Sequence, residues 1–114
     1  MRVLLVEDAP GLGEAVREQI ADDGHAVDWV QRLDHARNSV RSTPYDLILL
    51  DLQMPVMDGF EVMECLKANN PNDYLPVLVI TAQPGHKLRA LQAGAKDFVS
   101  KPFDLVEVKT RIHN

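Results

Sequence analysis

Leu47-Ile48-Leu49-Leu50-Asp51 is a run of large apolar residues that stops on a carboxylate. A short apolar run without polar alternation describes a strand covered on both faces, as in a parallel sheet. Two other runs share the design. Val3-Leu4-Leu5-Val6 leads into Glu7-Asp8, and Val77-Leu78-Val79-Ile80 leads into Thr81. Working outward, strand-like stretches fall at 2–6, 26–30, 46–51, 76–80 and 96–99. Helical stretches fall between them and after them, at 11–22, 33–42, 59–69, 86–93 and 104–113. Ala26–Val30 and Lys96–Val99 are more mixed in polarity, which fits the edges of a sheet. Regular βα alternation with short connections implies parallel strands joined by right-handed crossovers. The expectation is one doubly wound α/β domain spanning residues 1–114.

If the three apolar runs are neighbours, Glu7, Asp8, Asp51 and Thr81 meet at the carboxyl edge of the sheet. Lys101, followed by Pro102, comes shortly after the last strand and joins them. That edge is where open α/β sheets bind ligands. Carboxylates packed together repel one another unless a divalent cation joins them. The grouping therefore reads as a magnesium-dependent phosphoryl site around a nucleophilic Asp51. Each residue alone has an ordinary role. Asp51 could be a turn residue, Glu7-Asp8 could cap the first helix, and Lys101 could be a solvated charge.

The remaining composition narrows the field. The 114 residues carry a net charge of −5 and no basic cluster, so direct nucleic-acid binding is not expected. No apolar run approaches the roughly 20 residues needed to span a bilayer, and no secretory leader is evident. A cytoplasmic protein without membrane contact is expected. Cys65 is the one cysteine, which excludes an internal disulfide and a cysteine-rich metal site. Its helical neighbours predict a buried or half-buried thiol. His25, His35, His86 and His113 lack metal-ligand spacing and are expected at surface or loop positions. Trp29 is expected to pack on an edge strand. Leu12, Val16 and Ile20 give the first helix its apolar stripe, with Gly24 as a stop signal.

The order Glu7-Asp8, Asp51, Thr81, Lys101-Pro102 resembles the receiver domain of two-component response regulators. Asp51-Leu-Gln-Met-Pro-Val-Met-Asp-Gly59 is similar to the loop after that family's phosphoacceptor. Ala93-Gly-Ala-Lys-Asp-Phe-Val-Ser-Lys-Pro-Phe103 is similar to its last strand and following turn. The resemblance implies a flavodoxin-like (βα)5 fold with a five-stranded parallel sheet in the order 2-1-3-4-5. It implies a switch module, not a turnover enzyme, with Asp51 taking a phosphoryl group from a histidine kinase or phosphotransfer domain. Mg²⁺ would be held by Asp8, Asp51 and the Gln53 backbone carbonyl, with Glu7 acting through water. Lys101 would meet a phosphoryl oxygen. Thr81 and Phe98 would be the switch residues that alter the surface of helix 4, strand 5 and helix 5. The first helix would dock the kinase through Gly11, Ala15, Glu18 and Gln19. A weak homodimer could form through helix 4, strand 5 and helix 5, using Lys87 with Glu107 and Asp97 with Arg111.

Some features depart from the family pattern. The stretch between Thr81 and Gly94 is about two residues short, and Gln83-Pro84-Gly85 stands in the loop, so helix 4 is expected to begin late. Lys96 occupies a position where DNA-binding members commonly carry an acid. The first half resembles receivers of winged-helix regulators, and the second half those of signalling enzymes. The abrupt end at Ile112-His-Asn114 points to a cut from a longer chain. Two other classes use related chemistry or the same fold. An aspartate-nucleophile phosphatase needs an acid two residues past the nucleophile, where Gln53 stands. A flavodoxin-like cofactor binder needs a phosphate-cradling loop where Glu7-Asp8 would repel phosphate.

Overall fold

The computed structural model describes residues 1–54, 57–68, 76–81, 84–100 and 105–113. Among these, five parallel strands form one sheet: β1 (Arg2–Val6), β2 (Ala26–Val30), β3 (Leu47–Asp51), β4 (Val77–Thr81) and β5 (Asp97–Ser100). Their spatial order is β2-β1-β3-β4-β5, the order expected. Five helices accompany them: α1 (Pro10–Asp22), α2 (Leu33–Ser42), α3 (Gly59–Ala68), α4 (Pro84–Gln92) and α5 (Leu105–His113). A short antiparallel pair, Gln53–Met54 against Met57–Asp58, precedes α3. Asn69 and Asp104, expected at helix ends, lie outside the described residues.

The strands alternate faces with period two, and this divides the core in two. Leu4, Val6, Ile48, Leu50, Val77 and Val79 join Ala36, Val40, Val62, Leu66 and Ala90 on the side of α2, α3 and α4. Val3, Leu5, Leu47, Leu49, Leu78 and Ile80 join Val16, Ile20, Val108 and Ile112 on the side of α1 and α5. A side chain of this kind, taken fully out of water, contributes about 1.5–3 kcal/mol. β1, β3 and β4 are buried almost throughout, whereas β2 and β5 are half-buried edges. Continuous apolar runs therefore mark the covered strands and mixed runs mark the edges.

Val16 and Ile20 of the α1 stripe are buried and Leu12 is half-buried. The helix closes at Gly24, whose φ of 89° is open mainly to glycine. α4 begins at Pro84, earlier than the expected residue 86. A proline suits the first turn of a helix, where its missing N–H has no partner to lose and its φ is already helical. Pro84-Gly85 thus opens the helix instead of delaying it.

The register positions the site. Val6 pairs with Leu50, and Asp51 pairs with Ile80. Glu7, Asp51 and Thr81 therefore leave three adjacent strands at one edge. The chain is held there by the Glu7 N–H donating to Val30 O at 3.1 Å and the Leu52 N–H donating to Ile80 O at 3.0 Å. Among the described residues, no helix is long and apolar enough to cross a membrane.

Candidate functional site

Glu7, Asp8 and Asp51 each bring a carboxylate oxygen to within 4.8 Å of the others. Glu7 is 2 % exposed and Asp51 1 %, while Asp8 is half-buried at the mouth. At such spacing two unit charges repel by about 3 kcal/mol at an effective dielectric of about 20. Anionic oxygens gathered in this way suit a hard divalent cation, which takes oxygen ligands. The donor set fits Mg²⁺.

The two acids after β1 do not cap α1. Its N-cap is Ala9, with no side-chain hydrogen bond, and Pro10 opens the helix. Glu7 Oε1 instead accepts the Ala9 N–H at 3.1 Å, which fixes the carboxylate beside the turn. Thr81, wholly buried, ends β4 next to β3. Phe98 is half-buried on β5, with Lys87 Nζ 5.1 Å from its ring centroid. Gln53 contributes backbone in the short antiparallel pair. Lys101, Pro102 and Gln83 lie outside the described residues.

Two neighbours of the site were not legible in the sequence. Trp29, on β2, donates its indole N–H to the Glu7 main-chain oxygen at 2.9 Å. Its ring covers Gly13, where a Cβ would come within 2.3 Å of it. A glycine inside a helix costs about 1 kcal/mol relative to alanine, and that cost is the signal of a close approach. His86 is the second. It is a half-buried α4 residue, not a surface or loop residue, and its Nδ1 lies 3.5 Å from Thr81 Oγ1. α4 opens at Pro84, three positions after Thr81 ends β4, and its first turn carries the imidazole to that strand end. Cys65 is half-buried on α3, as expected, with Arg37 Nε 3.2 Å from its sulfur.

Away from this edge, Tyr45 donates its hydroxyl to Asp28 at 2.6 Å, and Arg2 pairs with the same carboxylate at 3.0 Å. The Tyr45 hydrogen bond, with Arg2 adding to it, holds the Asp28 carboxyl below its ordinary range against partial burial. On the α4–β5–α5 side, Arg111 pairs with Asp97 within the chain at 3.1 Å. Leu88, Leu91 and Val106 stand 63 %, 42 % and 70 % exposed on α4 and α5.

The model of the response regulator receiver domain family matches residues 3–113. The transcriptional regulatory protein QseB of Haemophilus influenzae is 37 % identical over 114 residues, covering 98 % of this chain and 51 % of that protein. The chain thus spans about half the length of the curated relatives it matches. Among solved structures, the non-phosphorylated HemR receiver domain of Leptospira biflexa is 38 % identical, with a TM-score of 0.88 over 98 % of this chain and 90 % of that one. The receiver domain of the sensor histidine kinase PA1611 of Pseudomonas aeruginosa, with magnesium coordinated in its active-site cleft, is 30 % identical. Its TM-score is 0.86, covering 98 % of this chain and 93 % of that one. A carboxylate cluster at the carboxyl edge of a 2-1-3-4-5 sheet, matched along nearly its whole length, places this chain among the response regulator receiver domains, the phosphorylation-based switch modules of two-component signalling.

Proposed function

We propose that this receiver takes a phosphoryl group onto Asp51 from a phosphohistidine of a histidine kinase or phosphotransfer domain. The convergence of Glu7 and Asp8 on a buried Asp51 carries this reading. An Asp51 carboxylate oxygen forms the new P–O bond as the P–N bond to the donor imidazole breaks. The bonding pair returns to the imidazole nitrogen, which then takes a proton. The product is an acyl phosphate.

Asp8, Asp51 and the Gln53 carbonyl would hold Mg²⁺ directly, and Glu7 would act through water. The cation would neutralise the oxygens of the transferring group, where most of the catalysis in phosphoryl transfer lies. Glu7 orients the turn through Ala9, and the dry strands behind Asp51 keep bulk water from its buried side. Lys101 would supply a point charge to a phosphoryl oxygen. Thr81 would donate its hydroxyl to another once the group is present, and Phe98 would follow, changing the α4–β5–α5 surface. Gly11, Ala15 and Glu18, exposed on α1 with Gln19 beside them, form the face offered to the kinase. The domain acts as a signalling module, with any output carried elsewhere.

Intact mass after incubation with acetyl phosphate and Mg²⁺ tests the assignment. One phosphoryl mass is expected on the wild type and none on Asp51→Asn. Equal labelling of the variant, or labelling that survives a chelator, overturns it.

A further inference from the structure

We propose that His86 is a positioning residue that holds the Thr81 hydroxyl in the resting state and opposes its recruitment to the phosphorylated site. The proposal rests on Asp51 being the phosphoacceptor. Thr81 Oγ1 and His86 Nδ1 lie 3.5 Å apart, linking the end of β4 to the first turn of α4. The imidazole has a second neighbour. Its ring meets Phe60 of α3 edge-on, with centroids 5.4 Å apart and planes at 88°. Phe60 is itself covered by the Arg89 guanidinium, 3.9 Å from its centroid. His86 thus lies between the first turn of α3 and the strand that ends in Thr81.

A hydroxyl has one proton to donate. With Nδ1 as the unprotonated ring nitrogen, a Thr81 proton shared with it is not available to a phosphoryl oxygen, so one contact must be surrendered for the other. A ligand shifts such an equilibrium only by its differential interaction with the two states. The His86 contact belongs to the resting state alone, so it lowers the apparent affinity for a phosphoryl group. It also ties α4 to that state, since moving Thr81 releases the first turn of the helix. Removing one neutral hydrogen bond specific to the resting state should shift the balance about fivefold.

The test is the beryllofluoride concentration that half-saturates the protein in Mg²⁺, read from amide NMR shifts on β5. His86→Phe keeps the aromatic contact with Phe60 but has no ring nitrogen, and its half-saturation should fall about fivefold. His86→Leu carries the same expectation should the larger ring disturb folding. His86→Asn, with an acceptor near the Nδ1 position, should return to within about twofold of the wild type. In a Thr81→Val background the His86→Phe effect should vanish, as a double-mutant cycle requires of a direct contact. An unchanged or raised half-saturation in both His86→Phe and His86→Leu overturns the proposal. So does an effect of equal size without the Thr81 hydroxyl, which would mean that His86 only supports the packing. Asp51→Asn is a separate control: if beryllofluoride shifts it as it shifts the wild type, the phosphoacceptor assignment fails instead.

Discussion

Trp29 and Glu7 are joined across the β1–β2 edge by an indole N–H that donates to a main-chain oxygen at 2.9 Å. The one tryptophan of the chain is thereby tied to the turn that carries two of the three clustered acids. Mg²⁺ binding should change Trp29 fluorescence, and Trp29→Phe should weaken Mg²⁺ affinity about fivefold by freeing the Glu7 turn. Calorimetric titration checks the second point without using the tryptophan. Gly13→Ala should act on the same contact, since its Cβ would fall 2.3 Å from the indole. A loss of about 1–3 kcal/mol in stability is expected, as for overpacking.

Asp51→Asn should stabilise the metal-free protein. Removing one of three close carboxylates relieves repulsion among groups that are nearly all buried, and a gain of about 1–3 kcal/mol is expected in urea unfolding with a chelator. Saturating Mg²⁺ at about 100 times its dissociation constant should raise wild-type stability by about 2.7 kcal/mol. The variant should respond much less. A wild type indifferent to Mg²⁺ would remove the metal site.

Acid should act through Asp28. Its carboxyl is held below the ordinary range, chiefly by the Tyr45 hydroxyl and then by Arg2. A depressed folded-state pKa contributes stability that is present above the unfolded value of about 3.9 and is lost as pH falls through the folded one. Tyr45→Phe should lower stability at neutral pH by about 1 kcal/mol and flatten its fall below about pH 4. Unfolding curves from pH 7 to pH 2.5 measure both.

The phosphorylated state should last minutes or longer. The positions two residues beyond Asp51 and Thr81 are Gln53 and Gln83, and neither amide can act as a general base toward water. Decay of the phosphorylated mass after the donor is removed gives the lifetime, and a half-life of a few seconds would refute it.

Activation should promote weak self-association through α4, β5 and α5. Leu88, Leu91 and Val106 leave apolar surface there, on elements that also carry Lys87, Asp97, Glu107 and Arg111. The Arg111–Asp97 pair, made within one chain, would have to be shared across a two-fold axis. Rim charges govern specificity more than affinity, so dissociation in the high micromolar range is expected. Sedimentation with beryllofluoride reads it, and Val106→Glu or Arg111→Glu should abolish the dimer. An activated protein that stays monomeric would exclude this face.

The convergence of Glu7, Asp8, Asp51 and Thr81 was legible in the sequence because it depends on little beyond strand order. Apolar runs covered on both faces are read directly from residue type, and parallel neighbours bring their carboxyl ends to one edge. The β2 and β5 edges followed from their mixed polarity for the same reason. Tertiary structure alone decided the contacts that depend on how a helix is rotated and where a connection lets it begin. Pro84 could be read as loop or as first turn, and the choice of first turn carries His86 to Thr81. Gly13 shows an absent side chain in the sequence, but the indole that occupies its place comes from Trp29, which only the packing of α1 on β2 brings there. The same limit applies to Arg111 and Asp97, whose charges are evident but whose pairing within one chain needs α5 laid along β5. Local pattern fixes which elements form and what their ends carry, whereas contacts between distant side chains are set by the geometry of the packed helices.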